Sequence, residues 1–387
     1  VTISSPADNQ VLSYNNSNSQ WENTLVTPSY GPLNYTPTSS DLDGHLEGID
    51  AKLGDLQTQI WNVNPPPPGE SIRIYASNQD GFVEKLDSAG NQLWQFNNFS
   101  SNVTPIQVAS NGDVYAGSFD NTIKKISSEG NQIWSFDNGT TIRNLAIDIN
   151  GYVYIIADDE YVRKINSSTG TEVTTGNWPL GGGTLGYANN TLAVDRDGTV
   201  YFYDNNSSVL RKYNSDGTEV TTGNWPLSGP STFSRIDQIK LAETGHFYVA
   251  AADGNFEGFL YKYDLDANQQ WSFDLVGSNS NISEFAITFD DFVYVAATDY
   301  GIKKLDASTG TEVTTGNWPV TFSTVQPRTI DVDGDGYVYI GTGSSFDDDF
   351  VRKYDSDGNL IWEYSASDSV NGISVFPGVY PVWQSGG

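Results

Sequence analysis

A short apolar strand that ends at a tyrosine recurs seven times along this chain. Successive tyrosines are separated by 40, 39, 47, 47, 46 and 45 residues. A repeat of this length is typical of β-propeller blades, which have four short strands each. The seven tyrosines are Tyr75, Tyr115, Tyr154, Tyr201, Tyr248, Tyr294 and Tyr339.

Each repeat also carries one lysine and one tryptophan at a fixed place. Such periodic residues usually hold neighbouring repeats together, and a lysine stem can lie along a neighbouring strand while its amine reaches a carboxylate. The lysines are Lys85, Lys125, Lys164, Lys212, Lys262, Lys304 and Lys353, and the tryptophans are Trp94, Trp134, Trp178, Trp225, Trp271, Trp318 and Trp362. In three repeats the tryptophan lies in an identical segment, GTEVTTGNWP, at 170–179, 217–226 and 310–319. There it follows the glycine by eight residues instead of four, which predicts a different outer strand in those three blades.

The number of strands predicts how the ring closes. Six of the tyrosine strands follow another apolar strand, whereas the first unit, which begins at Ile72, has none. The seventh copy, NGISVF at 371–376, stands at the far end of the repeats. We therefore predict an all-β fold in which residues 71–387 form a seven-bladed β-propeller, closed by a C-terminal strand that completes the first blade and leaves no open sheet edge.

The segment before the propeller has a different composition. Four prolines at 65–68 indicate a stiff spacer, and we assign 63–70 as a linker. Residues 1–62 are predicted to anchor and oligomerise the chain, with two short strands around an Asn/Ser turn within 1–36.

A helix is predicted over 41–61, because apolar residues recur there at spacings of four and three. They are Leu42, Leu46, Ile49, Leu53, Leu56 and Ile60. This heptad pattern needs a partner helix, which favours a homo-oligomer, with a trimer favoured and a pentamer as the other state. An amphipathic helix that folds back on its own domain is the alternative.

The charge of the chain excludes several partners. It has 48 acidic and 19 basic residues, a net charge of −29, and would be repelled by nucleic acid and by anionic membranes. No apolar run reaches the ~18 residues of a membrane span, so we expect no membrane insertion, and no signal peptide is recognisable. The scarcity of lysine favours a protein adapted to concentrated salt, with ordinary solubility as the alternative.

Catalytic signatures are weak. The absence of cysteine excludes thiol catalysis and disulfides. The two histidines, His45 and His246, belong to no recognisable Ser/His/Asp arrangement. We expect no enzymatic activity and no organic cofactor, although a glycosidase pair among the many carboxylates stays open.

The positional signal for a binding site is an aspartate in the loop after each tyrosine strand. In a propeller these loops share one face and surround the channel mouth, where carboxylates could hold Ca²⁺, Mg²⁺ or monovalent cations. The alternative is turn chemistry, which also favours aspartate. The seven candidates are Asp80, Asp120, Asp159, Asp204, Asp253, Asp299 and Asp348. On the same face, the long connections between blades carry Tyr187 and Phe233, which we assign to a binding surface.

A second possible metal site is the segment that contains Asp331, Asp333 and Asp335. Its carboxylates stand at positions 1, 3 and 5 of a calcium loop, but it lacks the distal bidentate glutamate. It also falls where the other blades have their first hairpin turn, and we favour the turn.

Two resemblances accompany these patterns. The segment QVLSYNNSNSQWENT, followed by HLEGIDAKLG, resembles fibre and appendage proteins of tailed viruses, in particular those of haloarchaea. The repeats KLDSAGNQLWQF, KYDSDGNLIWEY and DVDGDGYVYIGT resemble quinoprotein-like and NHL-like propeller repeats. Quinoprotein dehydrogenases commonly use eight blades and a vicinal cysteine pair, so this second resemblance implies the fold and not the cofactor.

The viral resemblance implies an archaeal-virus surface appendage, such as a tail fibre, a spike or a capsid-vertex protein, whose host is halophilic. The N-terminal segment would bind other virion proteins, and the propeller would contact a host surface glycan or S-layer protein. The expected location is the virion surface, outside the cell. The alternatives are a secreted or cell-surface propeller adhesin and a polysaccharide-degrading enzyme.

Overall fold

The computed structural model describes the backbone of residues 10–15 and 20–25, and the chain from 72 to 376 with short interruptions. The interruptions are residues 160, 182–190, 205–206, 229–234, 243, 256, 276–280, 289–291, 299–300, 323–324 and 344–348. The chain divides into two units, Val1–Gly69 and Glu70–Gly387. Its described elements are all strands. The described residues contain no helix that is long and apolar enough to cross a membrane.

The first unit contains a β-hairpin. Strand β1 (Gln10–Asn15) pairs antiparallel with β2 (Gln20–Leu25), with Gln10 opposite Leu25. These are the two short strands that the sequence predicts. The predicted helix 41–61 and the linker 63–70 lie outside the described residues.

The second unit consists of seven antiparallel sheets. In chain order its strands are β3 (Arg73–Asn78), β4 (Val83–Asp87), β5 (Gln92–Phe96), β6 (Val103–Val108), β7 (Val114–Ser118), β8 (Thr122–Ile126), β9 (Gln132–Asp137), β10 (Ile142–Ile147), β11 (Tyr152–Ala157), β12 (Val162–Asn166), β13 (Leu192–Val194), β14 (Val200–Asp204), β15 (Val209–Tyr213), β16 (Leu227–Ser228), β17 (Arg235–Ala242), β18 (His246–Ala252), β19 (Gly258–Asp264), β20 (Gln269–Asp274), β21 (Ile282–Ile287), β22 (Phe292–Ala297), β23 (Gly301–Asp306), β24 (Gln326–Val332), β25 (Val338–Gly343), β26 (Phe350–Tyr354), β27 (Leu360–Ser365) and β28 (Val370–Phe376). This is a seven-bladed β-propeller.

The last strand closes the ring. Blade 1 has the order β28-β3-β4-β5, so its innermost strand comes from the C-terminal end of the repeats. Val375 lies opposite Ile74, and Ile373 lies opposite Ala76. The predicted closure is confirmed, and the pairing satisfies the edge of β3 that would otherwise be exposed.

The repeated tyrosine, lysine and tryptophan form one cluster in every blade. Each tyrosine is at most 3% exposed and lies directly opposite the lysine of the next strand. Each tryptophan ring lies 5.1–6.1 Å from the tyrosine ring. The lysine amine lies 5.1–5.5 Å from the same tyrosine ring, within cation–π range.

This cluster joins each blade to the next through a shared acceptor, an arrangement that we call the clasp. In all seven blades the indole Nε1 donates to a backbone carbonyl of the following blade, at 2.8–3.2 Å. In six blades the lysine Nζ donates to the same carbonyl, at 2.7–3.2 Å. The carbonyls belong to Ser88, Ser128, Ser167, Ser215, Leu265, Ala307 and Ser356.

The target of the lysine corrects the sequence-based expectation. We expected the amine to reach a carboxylate; all six donate to main-chain oxygen, and Lys125 also meets the expectation, because it is ion-paired with Asp113 at 3.0 Å. Every blade has a backbone carbonyl at this place, whichever amino acid carries it. A carbonyl is therefore a more dependable acceptor for a contact repeated in every blade than a carboxylate is. Burial lowers the pKa of Lys164, Lys212 and Lys353, as expected for amines that are partly removed from water.

The three GTEVTTGNWP segments replace the fourth strand, as predicted. Blades 3 and 6 have three-stranded sheets, and blade 4 has only the two-residue β16. Isolated bridges take the place of the ladder, such as Val162 with Leu180 and Ile302 with Val320. Trp178, Trp225 and Trp318 nevertheless occupy the clasp position and are only 4–6% exposed. Although the GTEVTTGNWP segment is longer than a fourth strand, its tryptophan therefore binds the clasp carbonyl as in the other blades.

Candidate functional site

The connections between strands separate onto two faces of the ring. In each antiparallel blade, the hairpins that join strands one and two and strands three and four lie at one end, which we call the turn face. The loops between strands two and three and the connections between blades lie at the other end, which we call the loop face. The clasp carbonyls belong to the turn-face hairpins.

The faces differ in regularity. Outside the three GTEVTTGNWP segments, turn-face hairpins are short, as at 88–91 and 109–113, whereas in blade 4 the segment makes this connection thirteen residues long (214–226). Connections between blades on the loop face range from four residues (138–141) to eleven (181–191). Loops of unequal length on a regular scaffold are where binding residues usually lie.

Each innermost strand carries a β-bulge near the loop face in blades 1, 2, 3, 5, 6 and 7. A bulge inserts an extra residue and re-aims its side chain. In five of these blades the inserted residue is polar or charged: Asn371, Arg143, Asp237, Ser283 and Arg328. The loop-face ends of five innermost strands therefore carry polar residues.

The bulge residues make specific polar contacts. Arg143 binds Asp158 with two hydrogen bonds, of 2.6 and 2.9 Å. Arg328 Nη1 donates to Asn371 Oδ1 at 3.1 Å. Arg235 Nε lies 2.6 Å from Asp237 Oδ1. Burial raises the pKa of Asp237 to about 6 despite the attraction of Arg235.

Two of the predicted loop aspartates, Asp159 and Asp204, are each paired with an arginine of the next strand. Arg163 holds Asp159 with hydrogen bonds of 3.0 and 2.5 Å, and Arg211 Nε binds Asp204 at 2.9 Å. For Asp204, burial alone would raise the pKa, but hydrogen bonds from Ser207 and Arg211 lower it. Their charge is thus partly neutralised within one blade.

Asp120 and Asp253 are held mainly by their own loops. Asp120 accepts hydrogen bonds from Thr122 and from the Ser100 backbone N–H, and Lys124 lies 3.6 Å away. These contacts lower its pKa although burial acts in the opposite direction. Asp253 accepts from the backbone N–H groups of Asn255 and Glu257, which lower its pKa.

Asp80 differs, because its neighbour is another carboxyl group. Slight burial and then the charge and hydrogen bond of Asp368 raise the pKa of Asp80. Asp368 belongs to the connection between β27 and β28, so the pair lies where the ring closes. Asp299, Asp348, Tyr187 and Phe233 lie outside the described residues. The five described aspartates thus make separate contacts, and a shared cation on this ring stays a prediction.

The second predicted site forms a turn. Asp333 accepts hydrogen bonds from the backbone N–H groups of Asp335 and Tyr337, and from the Tyr339 hydroxyl at 2.8 Å. Asp331 lies on β24 and instead accepts from Val332 N and Val375 N. Within the part of the chain that the structure describes, no group of three or more His, Cys, Asp or Glu side chains is placed to hold a metal.

The arginines of the loop face were not predicted from the sequence. A signal existed in the frames YVRKIN, VLRKYN and FVRKYD, where an arginine precedes the periodic lysine. Because strand side chains alternate, this arginine must lie on the opposite side of the sheet from the lysine. There Arg211 also binds Glu219 at 2.6 Å, and Arg352 binds Glu363 at 2.6 Å. These two pairs lie on the sheet surface, whereas the loop face carries the pairs Arg143–Asp158, Arg163–Asp159 and Arg235–Asp237 and an exposed aromatic, Tyr161, which is 42% exposed.

Comparisons with known proteins agree on the propeller. A family model described as the lambda-carrageenase beta-propeller domain matches residues 69–177. Another, described as outer membrane protein assembly factor BamB, matches residues 158–315. Each covers less than half of the chain. No curated protein sequence matches it.

Solved structures with the same fold share little sequence with this chain. The computationally designed Ika8 protein has a TM-score of 0.53 at 18% identity, covering 81% of this chain and 92% of that one. U3-55K has a TM-score of 0.58 at 14% identity, covering 78% and 90%. A functionally unknown protein from Desulfotomaculum acetoxidans has a TM-score of 0.58 at 12% identity, covering 79% and 99%. At these identities the similarity shows the fold alone, which is a β-propeller.

Proposed function

We propose that this chain is a surface-attachment protein whose propeller binds its target through the loop face. The observation that carries the proposal is the contrast between the two faces. The turn face repeats one clasp seven times and one identical GTEVTTGNWP segment three times, with short hairpins elsewhere, whereas the loop face combines unequal loops, paired charges and an exposed tyrosine. Binding proteins usually carry their binding residues on loops of varied length that a regular, rigid scaffold positions.

The chemistry of the loop face suits a polyhydroxylated target. Around Tyr161, the Arg163 guanidinium lies 5.4 Å from the ring and is held by Asp159. An aromatic ring beside oriented donors and acceptors can stack on a sugar and bind its hydroxyls. With a net charge of −29, the protein would disfavour strongly anionic targets unless cations mediate the contact. A host glycan or a glycosylated S-layer protein fits these requirements.

The viral part of the proposal rests on the N-terminal segment. Its resemblance to fibre proteins of tailed viruses supports a virion appendage on a halophilic host, with residues 1–62 binding other virion proteins. If the heptad pattern over 41–61 assembles the chain, Leu46→Asp combined with Leu53→Asp should give monomers with intact propellers. Mass measurement would check this, and an isolated propeller 70–387 as oligomeric as the full chain would contradict it.

A matched pair of variants in blade 3 tests the binding face. Tyr161→Ala changes the loop face, and Ile149→Ala changes the turn face at a side chain that is 52% exposed. We expect Tyr161→Ala to reduce adsorption to host cells or to their isolated surface glycan by about tenfold or more, which corresponds to ~1.4 kcal/mol, while Ile149→Ala binds normally. Equal binding by both folded variants would place the contact elsewhere. Replacing 181–188 and 228–234 by short turns extends the test to the long connections.

The match to a carrageenase propeller domain supports a second candidate, a carbohydrate-active protein. It covers residues 69–177, which correspond to blade 1 without its closing strand β28, blade 2 and most of blade 3. The acidic loop face offers carboxylates for such chemistry. Release of new reducing ends from host polysaccharide by the purified chain would favour this candidate. Binding without release would favour attachment.

A further inference from the structure

A ring of equivalent residues surrounds the propeller axis midway along the innermost strands. Each of its members lies directly opposite one of the seven periodic tyrosines, so all lie at the same height. We call this ring the axial layer. From blade 1 to blade 7 its residues are Ser374, Gln107, Ala146, Ala193, Lys240, Ala286 and Asp331. The three alanines leave room for the longer polar side chains.

The charges near this layer do not balance. Lys240 Nζ lies 3.1 Å from Glu284 Oε1, and both groups are almost completely buried. Glu284 also accepts hydrogen bonds from Gln238 and from the Ile330 backbone N–H, so this carboxylate is fully used. Asp331 is 6% exposed and accepts only from two backbone N–H groups, at 2.9 and 2.8 Å. No ion pair among the described residues includes Asp331; Lys240 attracts it but is paired with Glu284, so two carboxylates share one lysine and one negative charge is in excess.

A second observation points to the same place. Gln107 is 5% exposed, and its Oε1 has no hydrogen-bond partner among the described residues. An orphaned buried acceptor costs about 1–3 kcal/mol. Ser374 stands between Asp331 and Gln107 in the ring order, and its hydroxyl oxygen accepts from Val108 N at 3.2 Å. Blades 7, 1 and 2 thus present a carboxylate, a hydroxyl and an amide carbonyl at one height.

We propose that a monovalent cation, Na⁺ or K⁺, binds on the ring axis between Asp331, Ser374 and Gln107. Oxygen ligands suit a hard cation, and one excess negative charge matches a monovalent ion better than Ca²⁺, which takes six to eight oxygens and usually several carboxylates.

This site would reinforce the closure of the ring. Its three ligands come from the last blade, the closing strand β28 and the second blade, and Asp331 already accepts a hydrogen bond from Val375 of that strand. A cation there joins three blades across the point where the chain ends meet. The proposal does not depend on what the loop face binds.

Thermal unfolding of the full chain at pH 8 and constant ionic strength tests the site. Sodium, potassium and choline chloride are exchanged so that general screening stays the same while the small cation varies. We expect Tm to rise by about 2–3 °C for each tenfold increase in Na⁺ or K⁺ above the dissociation constant. Asp331→Asn and Gln107→Met should lose this dependence. Asp237→Asn changes another buried carboxylate, outside the axial layer, and should keep it.

Equal melting temperatures in all three salts would overturn the proposal. So would a Na⁺ or K⁺ effect that persists in both axial variants, because the ion would then bind elsewhere. If these variants do not fold, crystals of the wild-type chain grown with Tl⁺ give a direct answer. An anomalous peak between the three oxygen ligands supports the site, and an axis without one refutes it.

Discussion

Replacing Trp134 by phenylalanine removes the indole N–H of a single clasp and keeps an aromatic ring, although a smaller one, at its place. Trp134 Nε1 donates to the Ser167 carbonyl at 2.9 Å, and Lys125 Nζ donates to the same oxygen at 3.2 Å. Because the lysine still satisfies the carbonyl in the variant, the loss is one hydrogen bond and not an orphaned acceptor. We therefore expect Trp134→Phe to lower the free energy of unfolding by about 1 kcal/mol.

Replacing Trp134 by alanine should cost more, because it also removes the ring. That ring lies 5.9 Å from the Tyr115 ring and covers Gly170, where an added Cβ would be 2.8 Å from an indole atom. Truncating a fully buried tryptophan costs about 3–5 kcal/mol, and partial burial reduces this to roughly 2–3 kcal/mol. The neighbouring Ile133 is 48% exposed, so Ile133→Ala should change stability by no more than about 0.5 kcal/mol.

The assay is urea unfolding at fixed molar salt, followed by far-UV circular dichroism. The reasoning predicts the order Ile133→Ala, Trp134→Phe, Trp134→Ala from least to most destabilised. A phenylalanine variant as stable as the wild type would refute the hydrogen-bonded clasp and leave only ring packing. An effect of Ile133→Ala equal to that of Trp134→Ala would refute the inter-blade role altogether.

Three further predictions concern the whole ring. Deleting residues 370–387 removes β28 and exposes the edge of β3, so the ring should lose its cooperative thermal transition; an unchanged Tm would contradict the shared blade. Stability should rise steeply from low to molar salt, because dissolved cations screen the net charge of −29, and a flat Tm would indicate ordinary surface charge. Asp237 has a folded-state pKa of about 6, above its usual range, so its charge destabilises the fold above pH 6 and this penalty disappears as the pH falls towards 4. Asp237→Asn should therefore stabilise the chain at pH 8 by about 2–3 kcal/mol and give no gain near pH 4, and a gain that does not depend on pH would exclude this cause.

The predictions that succeeded rest on properties of the repeat itself. The spacing of the tyrosines fixes the number of blades, and the unpaired unit at Ile72 together with NGISVF at 371–376 fixes the closure. The altered spacing in GTEVTTGNWP shows that the fourth strand changes. Each of these follows from strand count and local pattern, which a single sequence displays directly.

The predictions that failed or were missing depend on contacts between blades. The acceptor of Lys164 is a carbonyl 51 residues away, and no local pattern indicates which group a neighbouring blade presents. The bulges that re-aim Arg143 and Arg328 are likewise invisible, because a bulge is a difference in register between two strands. The loop aspartates were found by position, but their arginine partners were not.

The clasp also explains how the surface can be as acidic as the composition requires. Seven of the eleven lysines lie in the clasp position, where they are half-buried or buried and six donate to main-chain oxygen. Their charges thus lie largely between blades and are poorly placed to neutralise carboxylates on the outer surface. A hydrogen bond between a partly buried amine and a carbonyl is also less screened by salt than a surface ion pair. The contacts between blades should therefore depend weakly on salt, whereas the repulsion between surface carboxylates should depend on it strongly. This difference allows a ring of this charge to remain closed when its surface carboxylates are balanced only by dissolved cations.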